Sequence, residues 1–257
     1  MRPLLISLGL LAVSAGLLGV SASAAALDLD LYAQLLERHT RAVEDIASTR
    51  VDYAAVSRDP DWRLLLRSLE ASQTDALEGR EAMAFWINAY NILAIEVVAR
   101  NYPVASIKDV GSLLRPVWKR RAGTIDGRDV TLDGIEHRTL RPLGDPRIHG
   151  AIVCASLSCP PLRREPYREE PLDAQLDDNV RRWLEDPRKG VAVDPDGRTL
   201  RASSIFKWFA KDFEAQGGVP AFLERHGPEA VRALLREEGE RVRLRYLDYD
   251  WTLNDLR

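Results

Sequence analysis

The apolar and polar residues of this chain follow the period of an α-helix over much of its length. Residues 27–43 carry apolar side chains three and four positions apart, and residues 62–69 follow an Asp-Pro pair, so each segment predicts a helix. Residues 81–100 form the longest such segment and are apolar nearly all round. A helix of that kind has almost no polar face for water, which predicts the buried central helix of the fold, with Trp86 in the core.

The other periodic segments are shorter. Asp-Gly pairs predict hairpin turns within residues 124–131 and 191–200, and a run rich in β-branched residues at 148–153 predicts a buried strand. Further elements are expected as helices at 132–140, 172–184, 205–213, 219–226 and 229–236, and as a half-buried strand within 242–251. Short hairpins separated by helices predict the α+β class: a mainly helical single domain, residues 27–257, with a small antiparallel sheet and hairpins around a buried central helix.

Residues 1–26 are expected to precede the folded domain. A basic start, an apolar run and a small-residue tail are typical of a secretory signal peptide. We therefore expect an exported protein, periplasmic or secreted, without stable membrane insertion once the signal is removed. The 257 residues include 36 basic and 39 acidic side chains with a net charge of −3, and no long run has one sign. That balance indicates no nucleic-acid partner.

Residues 145–162 hold the candidate chemistry. This stretch contains both cysteines of the chain, one of its four histidines and two nearby serines: Cys154, Cys159, His149, Ser156 and Ser158. The cysteines and serines follow the predicted strand, and functional side chains often lie on loops that a rigid element positions. The stretch therefore predicts a site whose central group is a thiol.

Six sequence blocks follow one another between residue 85 and the C-terminal region. They are FWINAYN from Phe85, IEHRTLR from Ile135, DPRIH from Asp145, CASLSCP from Cys154, FKWFAKDF from Phe206 and YDWTLN from Tyr249. Together they resemble the DUF547 family, which is named for its unknown function. The resemblance implies a thiol-centred site on a fold similar to that of papain or transglutaminase.

A thiol nucleophile needs a base that accepts its proton, and the candidates are His137 and His149. Side chains alternate along a strand, so His149 and Cys154 would face opposite sides of the predicted one, which favours His137 as the base of Cys154. Asp133 lies four residues before His137 on the predicted helix and can hold its imidazole, as could Asn88 from the central helix.

Other polar residues are candidates for binding the substrate. Glu136 cannot easily orient its neighbour His137, because adjacent helix residues point about 100° apart, so it is expected to bind substrate or pair with an arginine. Asn88 and Asn91 share one face of the central helix, where they either orient a catalytic group or tether neighbouring backbone. The binding candidates are Glu136, Asn91, His149, Ser156, Ser158 and Cys159.

Three interpretations remain open. The first is a thiol-dependent hydrolase or transferase that acts on an amide or ester bond, with a peptide or a small amide or ester as substrate. The second is a non-catalytic binding or scaffold domain closed by a Cys154–Cys159 disulfide, which an exported address permits. The third is a small zinc site formed by both cysteines with His137 and His149. The chain has no G-x-S-x-G motif and no glycine-rich phosphate loop, and no cofactor is predicted.

Overall fold

The structure is a computed structural model that describes residues 26–112 and 114–256. The predicted signal peptide falls, except for Ala26, on residues 1–25, outside the described residues. The α-helices in the described part are α1 (Leu29–His39), α2 (Tyr53–Val56), α3 (Pro60–Ala71), α4 (Gly79–Ala99), α5 (Leu132–Ile135), α6 (Leu172–Glu185), α7 (Ile205–Trp208), α8 (Ala210–Glu214), α9 (Gly218–His226) and α10 (Glu229–Glu238). The strands are β1 (Thr40–Ala42), β2 (Thr49–Val51), β3 (Arg121–Ile125), β4 (Arg128–Thr131), β5 (Val191–Val193), β6 (Thr199–Ala202) and β7 (Arg243–Tyr246).

The strands form small separate sheets, which confirms the α+β class. β1 pairs with β2 and β3 with β4, both antiparallel. The third sheet has the order β5-β6-β7, and its β6–β7 pair is parallel, unlike the antiparallel pairing predicted. The β3–β4 turn has φ of 52° at Asp126 and 66° at Gly127. Positive φ at both central residues is the hairpin geometry that an Asp-Gly pair favours.

The central helix α4 is present as predicted. Ile92 and Leu93 are 0% and 1% exposed, whereas Trp86 and Phe85 are only half-buried and touch edge to face with ring centroids 5.1 Å apart. The expectation that Trp86 lies fully in the core was therefore wrong. Among the described residues, α4 is apolar and long enough to cross a membrane, but 78% of that stretch is buried inside the fold, and a core helix has the same composition.

The predicted strand at residues 148–153 is replaced by a 3₁₀ helix, Pro146–Gly150, followed by a turn and extended chain. The prediction of burial was correct, since Ile148 is 1% exposed, but the prediction of a strand was wrong. Asn91 explains the difference, because its Nδ2 donates to the carbonyl of Ala151 at 3.0 Å and its Oδ1 accepts from the amide of Val153 at 2.9 Å. A side-chain amide thus satisfies the backbone groups that a strand ladder would use.

The segment predicted as one helix over 132–140 consists of two consecutive helix types. It begins as α5 and continues as a π-helical turn, Glu136–Leu140. Such turns are rare and occur frequently at functional sites, because the wider turn changes the direction in which side chains project. Glu136 and His137, two of the predicted site residues, both lie in it.

Two hydrophobic clusters make up the core of the described residues. The first surrounds α4, and the second contains Trp183, Phe206, Phe213 and Phe222. Helix α6 contributes to both, because its N-terminal half packs in the first cluster and its C-terminal half in the second. The organisation of residues 27–257 as one domain stays a prediction.

Candidate thiol site

Both cysteines line a pocket of about 360 Å³ whose walls come from the two hydrophobic clusters. The side of the first cluster supplies Ile152, Cys154 and Cys159. The side of the second supplies Ile205 and other apolar residues. The pocket has the size that takes small-molecule ligands, which is roughly 300–1,000 Å³.

The loop that carries the cysteines is held at both ends by one buried amide. Asn179 on α6 is 0% exposed, and its Nδ2 donates to the carbonyls of Gly150 at 2.6 Å and Pro161 at 3.0 Å. Gly150 packs closely on the same helix, because a Cβ added there would lie 2.6 Å from Cγ2 of Val180. Together with Asn91 just before Cys154, these contacts fix the loop against two helices.

The two thiols touch each other. Sγ of Cys154 lies 2.6 Å from Sγ of Cys159, and both cysteines are free. Cys159 Sγ also accepts the backbone N–H of Cys154 at 3.0 Å, and it lies 3.2 Å from Ser156 Oγ and 3.3 Å from the donating hydroxyl of Tyr249. Several donors therefore converge on the more buried sulfur, which is the arrangement that stabilises a thiolate.

The ionisation of the pair follows from these contacts. Burial raises the pKa of the Cys159 thiol, but hydrogen bonds from Cys154, Ser156 and Tyr249 outweigh it and lower the pKa to about 6. The hydrogen bond to Cys159, together with burial, raises the pKa of Cys154 well above its ordinary value. Both shifts arise largely from the contact between the sulfurs, and they favour a proton on Cys154 over one on Cys159.

The predicted hydrogen bond between His137 and Cys154 was wrong. Within the described residues, the side-chain hydrogen bonds of Cys154 Sγ go to Ser156, Cys159 and Tyr249, not to either histidine, although both rings line the same pocket. The prediction failed because it assigned the partner by strand alternation, and the assumed strand does not form. The second sulfur, and not an imidazole, is the neighbour of the Cys154 thiol.

The two histidines belong instead to a charged network on the pocket wall. His149 Nε2 lies 2.7 Å from Asp212 Oδ2, and Arg141 binds both oxygens of that carboxylate at 2.6 Å. Arg141 also donates to Nδ1 of His137 at 2.8 Å. Arginine can only donate, so this contact places the ring proton of His137 on Nε2, 3.7 Å from Asp133. Asp133 therefore lies near His137 but beyond hydrogen-bond distance, and the contact that orients the ring comes from Arg141.

The network sets the charges of His149 and Asp212. Burial lowers the pKa of His149 although Asp212 opposes the shift, so its imidazole is neutral at physiological pH. Burial raises the pKa of Asp212, but hydrogen bonds from His149 and Arg141 bring it far below its usual range. His149 also stacks on Phe209 with ring centroids 4.2 Å apart, which fixes the orientation of the neutral ring.

Glu136 is a buried carboxyl group on the pocket wall. It is 7% exposed, and Tyr90 donates its hydroxyl to Oε2 at 3.5 Å. Burial raises its pKa to about 7, against the opposing charge of Arg141 and with the support of the Asp133 charge. A carboxyl group with this pKa exchanges a proton near neutrality, which is the property required of a general acid or base.

Several other predicted site residues bind backbone groups and so have a structural role. Asn88 binds the backbone of Tyr167 through both ends of its amide, at 2.7 Å and 2.9 Å, so it tethers a neighbouring segment and does not line the pocket. Ser158 is buried and accepts the amide of Asp250 at 2.9 Å. Asn91 is likewise a tether, but it fixes the backbone directly before Cys154. Ser156 contacts both sulfurs.

Sequence reasoning assigned no role to the aromatic residues of the pocket. Trp208, Phe209, Tyr249 and Trp251 all line it. These residues lie in the FKWFAKDF and YDWTLN blocks, so a signal was present, but nothing in the sequence indicates that residues near 208 and 250 pack beside residue 154. Arg141 and Asp212 lie in the quoted blocks and were missed for the same reason.

The other interpretations can be compared with this geometry. Among the described residues, no group of three or more His, Cys, Asp and Glu side chains is placed to hold a metal ion. The zinc site predicted from His137, His149, Cys154 and Cys159 is therefore not assembled. The Cys154–Cys159 disulfide stays a prediction, because the two sulfurs lie only 2.6 Å apart.

Residues 74–184 match the model of the DUF547 family, described as a protein of unknown function. The matched residues include Glu136, His137, His149 and both cysteines, while the blocks from Phe206 and Tyr249 lie beyond the DUF547 match. No curated protein and no solved structure matches the chain. A fold similar to that of papain or transglutaminase stays a prediction.

Proposed function

We propose that this chain is a thiol-dependent hydrolase or transferase that acts on an amide or ester bond. The observation that carries the proposal is the contact between Cys154 Sγ and Cys159 Sγ, with the further donors aimed at Cys159. Cys154 is the more exposed of the two, since Cys159 is only 2% exposed. Cys154 is therefore the nucleophile, and the Cys159 thiolate is the base that its proton reaches.

The first half of the reaction forms a thioester. Cys154 Sγ attacks the substrate carbonyl carbon while its proton moves to Cys159 Sγ, and the carbonyl electrons move onto oxygen. The tetrahedral intermediate then collapses, the carbon–nitrogen or carbon–oxygen bond breaks, and the leaving group takes a proton from the neutral carboxyl of Glu136. A base in contact with a nucleophile and an acid with a pKa of about 7 are the two proton carriers that acyl transfer needs.

The second half returns the enzyme to its starting state. Water, or another acceptor in a transferase, attacks the thioester and gives its proton to the Glu136 carboxylate. The sulfur–carbon bond breaks, and Cys154 recovers the proton held by Cys159. The residues of the network around Asp212 neither gain nor lose a proton in these steps. The network instead holds Phe209 and the two histidines against the pocket.

We further propose export, directed by residues 1–26, and a small amide or ester substrate without nucleic-acid partners. The basic start, apolar run and small-residue tail support export. The mass of the protein recovered from its native host tests it. A chain that starts near Leu27 outside the cytoplasm is expected, and an intact cytoplasmic chain of 257 residues would contradict the proposal.

The enzymatic proposal is tested by trapping the thioester. The full chain is incubated with a set of thioesters and anilides, and the adduct is mapped by mass spectrometry and released with hydroxylamine. We expect an acyl group on Cys154 that is absent in Cys154→Ala. Cys159→Ala should slow its formation by about 100-fold, because removal of a general base costs on the order of 10²–10⁴ in rate. The proposal is overturned if iodoacetamide labels Cys154 but no substrate acylates it.

The sulfur contact also favours a second candidate, a scaffold domain closed by a Cys154–Cys159 disulfide. Counting thiols in protein isolated and unfolded without reductant separates the two functions. Two free thiols support the enzyme, whereas zero free thiols in protein that retains its native fold support the scaffold.

A further inference from the structure

Three aromatic side chains in the pocket form one continuous surface, here called the aromatic face. It consists of Trp208, Tyr249 and Trp251, whose ring centroids lie 4.8, 4.6 and 5.8 Å apart in the pairs 208–249, 249–251 and 208–251. Trp118 extends it through an edge contact with Trp251 at 5.4 Å. Aromatic rings attract one another in such tilted and offset arrangements, so the face also offers a surface for a further ring.

The aromatic face is joined directly to the thiol pair. The hydroxyl of Tyr249 lies 3.4 Å from Cys154 Sγ and 3.3 Å from Cys159 Sγ, while its ring contacts both tryptophans. A group packed against the face is therefore separated from the nucleophile by no more than one tyrosine side chain. That spacing suits a ring attached to a reacting carbonyl.

The face is accessible to a ligand. Trp208 is 47% exposed, although tryptophan is usually well buried, and it lines the pocket. An exposed large apolar side chain beside a pocket marks a contact surface more often than a scattered surface residue does. The pocket therefore has an aromatic entrance wall that no part of the described chain covers fully.

The other residues that line the pocket indicate which kind of ring a ligand would place there. Pro116, Ile152, Pro160 and Ile205 present carbon to the pocket. Its polar lining includes the reacting groups Cys154 and Glu136, Lys119, and Asp133, His137 and His149, which already contact one another, Arg141 or Asp212. A sugar ring would need hydrogen-bond partners for several hydroxyls, and buried hydroxyls without partners cost free energy. A planar aromatic ring makes no such demand.

We propose that the pocket binds an aromatic acyl group, that is, an ester, thioester or amide whose acyl part carries an aryl ring that packs on the aromatic face. This substrate class rests on the proposed function, since it identifies the acyl part of the bond that Cys154 attacks. Trp208 is then a specificity residue, and it has no part in proton transfer.

Binding is measured without chemistry in the Cys154→Ala variant of the full chain. The probes are 3-phenylpropionamide, 3-cyclohexylpropionamide and propionamide, titrated by tryptophan fluorescence or by NMR. We expect the phenyl amide to bind about three- to tenfold more tightly than its cyclohexyl analogue, which is the range of a favourable aromatic contact, and propionamide to bind most weakly. Trp208→Ala should remove the preference for phenyl, Trp208→Phe should keep most of it, and Tyr246→Ala, an exposed aromatic outside the pocket, should leave it unchanged.

The results distinguish failure of the proposed substrate class from failure of the proposed enzymatic function. Equal affinity for the phenyl and cyclohexyl amides, or a phenyl preference that survives Trp208→Ala, overturns the proposed substrate class. Acylation of Cys154 without an aryl preference leaves the enzymatic function and removes only the specificity. An aryl preference in binding, with no acylation of the wild-type thiol by any aryl thioester, leaves the aromatic face as a binding site and removes the enzymatic function.

Discussion

The two sides of the pocket differ in composition and in origin. The reactive side carries Glu136, Cys154 and Cys159 within the DUF547 match, and the shifted pKa values of these groups are set by burial and by hydrogen bonds. The aromatic face comes from residues beyond that match and contains mainly carbon. The family model thus covers the groups that we propose to react, and the remainder of the chain supplies the surface that we propose selects the substrate.

The two sides are joined by charge as well as by packing. Asp212 on α8 belongs to the same region as the aromatic face, and it binds His149 and Arg141 from the reactive side. A substitution on one side therefore affects the other if it breaks this junction, removes the Tyr249 hydroxyl that contacts both sulfurs, or unfolds the shared core.

The largest effect is expected in the second hydrophobic cluster. Trp183 is 0% exposed, stacks on Phe206 at 5.1 Å and donates its indole N–H to the carbonyl of Lys189. Trp183→Ala should lower the free energy of unfolding by about 3–5 kcal/mol, measured in urea. The half-buried Trp86 in the first cluster is the control, and Trp86→Ala should cost less, about 1–2 kcal/mol. Equal costs would contradict the difference in packing.

Glu136→Gln should change the pH dependence of stability. The folded pKa of about 7 exceeds the unfolded value of 4.5, so the contribution of this group is fully present below pH 4.5 and is lost as the pH rises through 7. The variant should therefore gain about 3 kcal/mol relative to wild type between pH 4 and pH 8, at about 1.4 kcal/mol per pH unit. Urea unfolding of both proteins at pH 4 and at pH 8 measures this gain. Glu81→Gln, at an exposed carboxylate on α4, should show no such gain.

Asp212→Asn should change the pH dependence of stability in the opposite direction. Its folded pKa is depressed, so its contribution is present above the unfolded value and is lost as the pH falls through the folded pKa. At pH 7 the variant should lose about 2 kcal/mol of stability through weakened charged hydrogen bonds, and the difference should shrink below about pH 4. Asp129→Asn is the matched control, because its pair with Arg121 is exposed and should matter little. A loss at pH 7 that stays constant in acid would indicate packing and not charge.

Tyr249→Phe should give the smallest effect. It removes a hydroxyl that donates to Cys159 Sγ and keeps the ring of the aromatic face. Alkylation of Cys154 needs the Cys159 thiolate as its base, so the pH at which it reaches half its maximal rate in the wild-type protein should lie near 6, the pKa of Cys159. The variant should shift it upward and slow alkylation at pH 6 a few-fold, as expected for one hydrogen bond. Tyr246→Phe should not shift it, and an unchanged midpoint in Tyr249→Phe would contradict the role of the hydroxyl.

The comparison of the two sides also shows what could be predicted from the sequence. The apolar period identified α4, and the Asp-Gly pairs identified two hairpins, because these signals are local. The stretch 148–153 has the composition of a strand, but the contact with Asn91, about sixty residues away, decides its form. Assignment of His137 as the base depended on that strand. The placement of Trp208 and Tyr249 beside Cys154 is purely tertiary, and no pattern near residue 154 contains it.

The contact between Gly150 and Val180 has a consequence for how sequences of this kind can change. Any side chain at position 150 has to occupy the space of the Val180 methyl group, which lies next to the Asn179 amide that holds the cysteine loop. In related chains, a larger residue at 150 should therefore occur together with a smaller one at 180, while Asn179, which binds the carbonyl of residue 150, stays. Positions 150 and 180 are therefore expected to vary together. A larger residue at 150 should be tolerated only when the residue at 180 is made smaller at the same time.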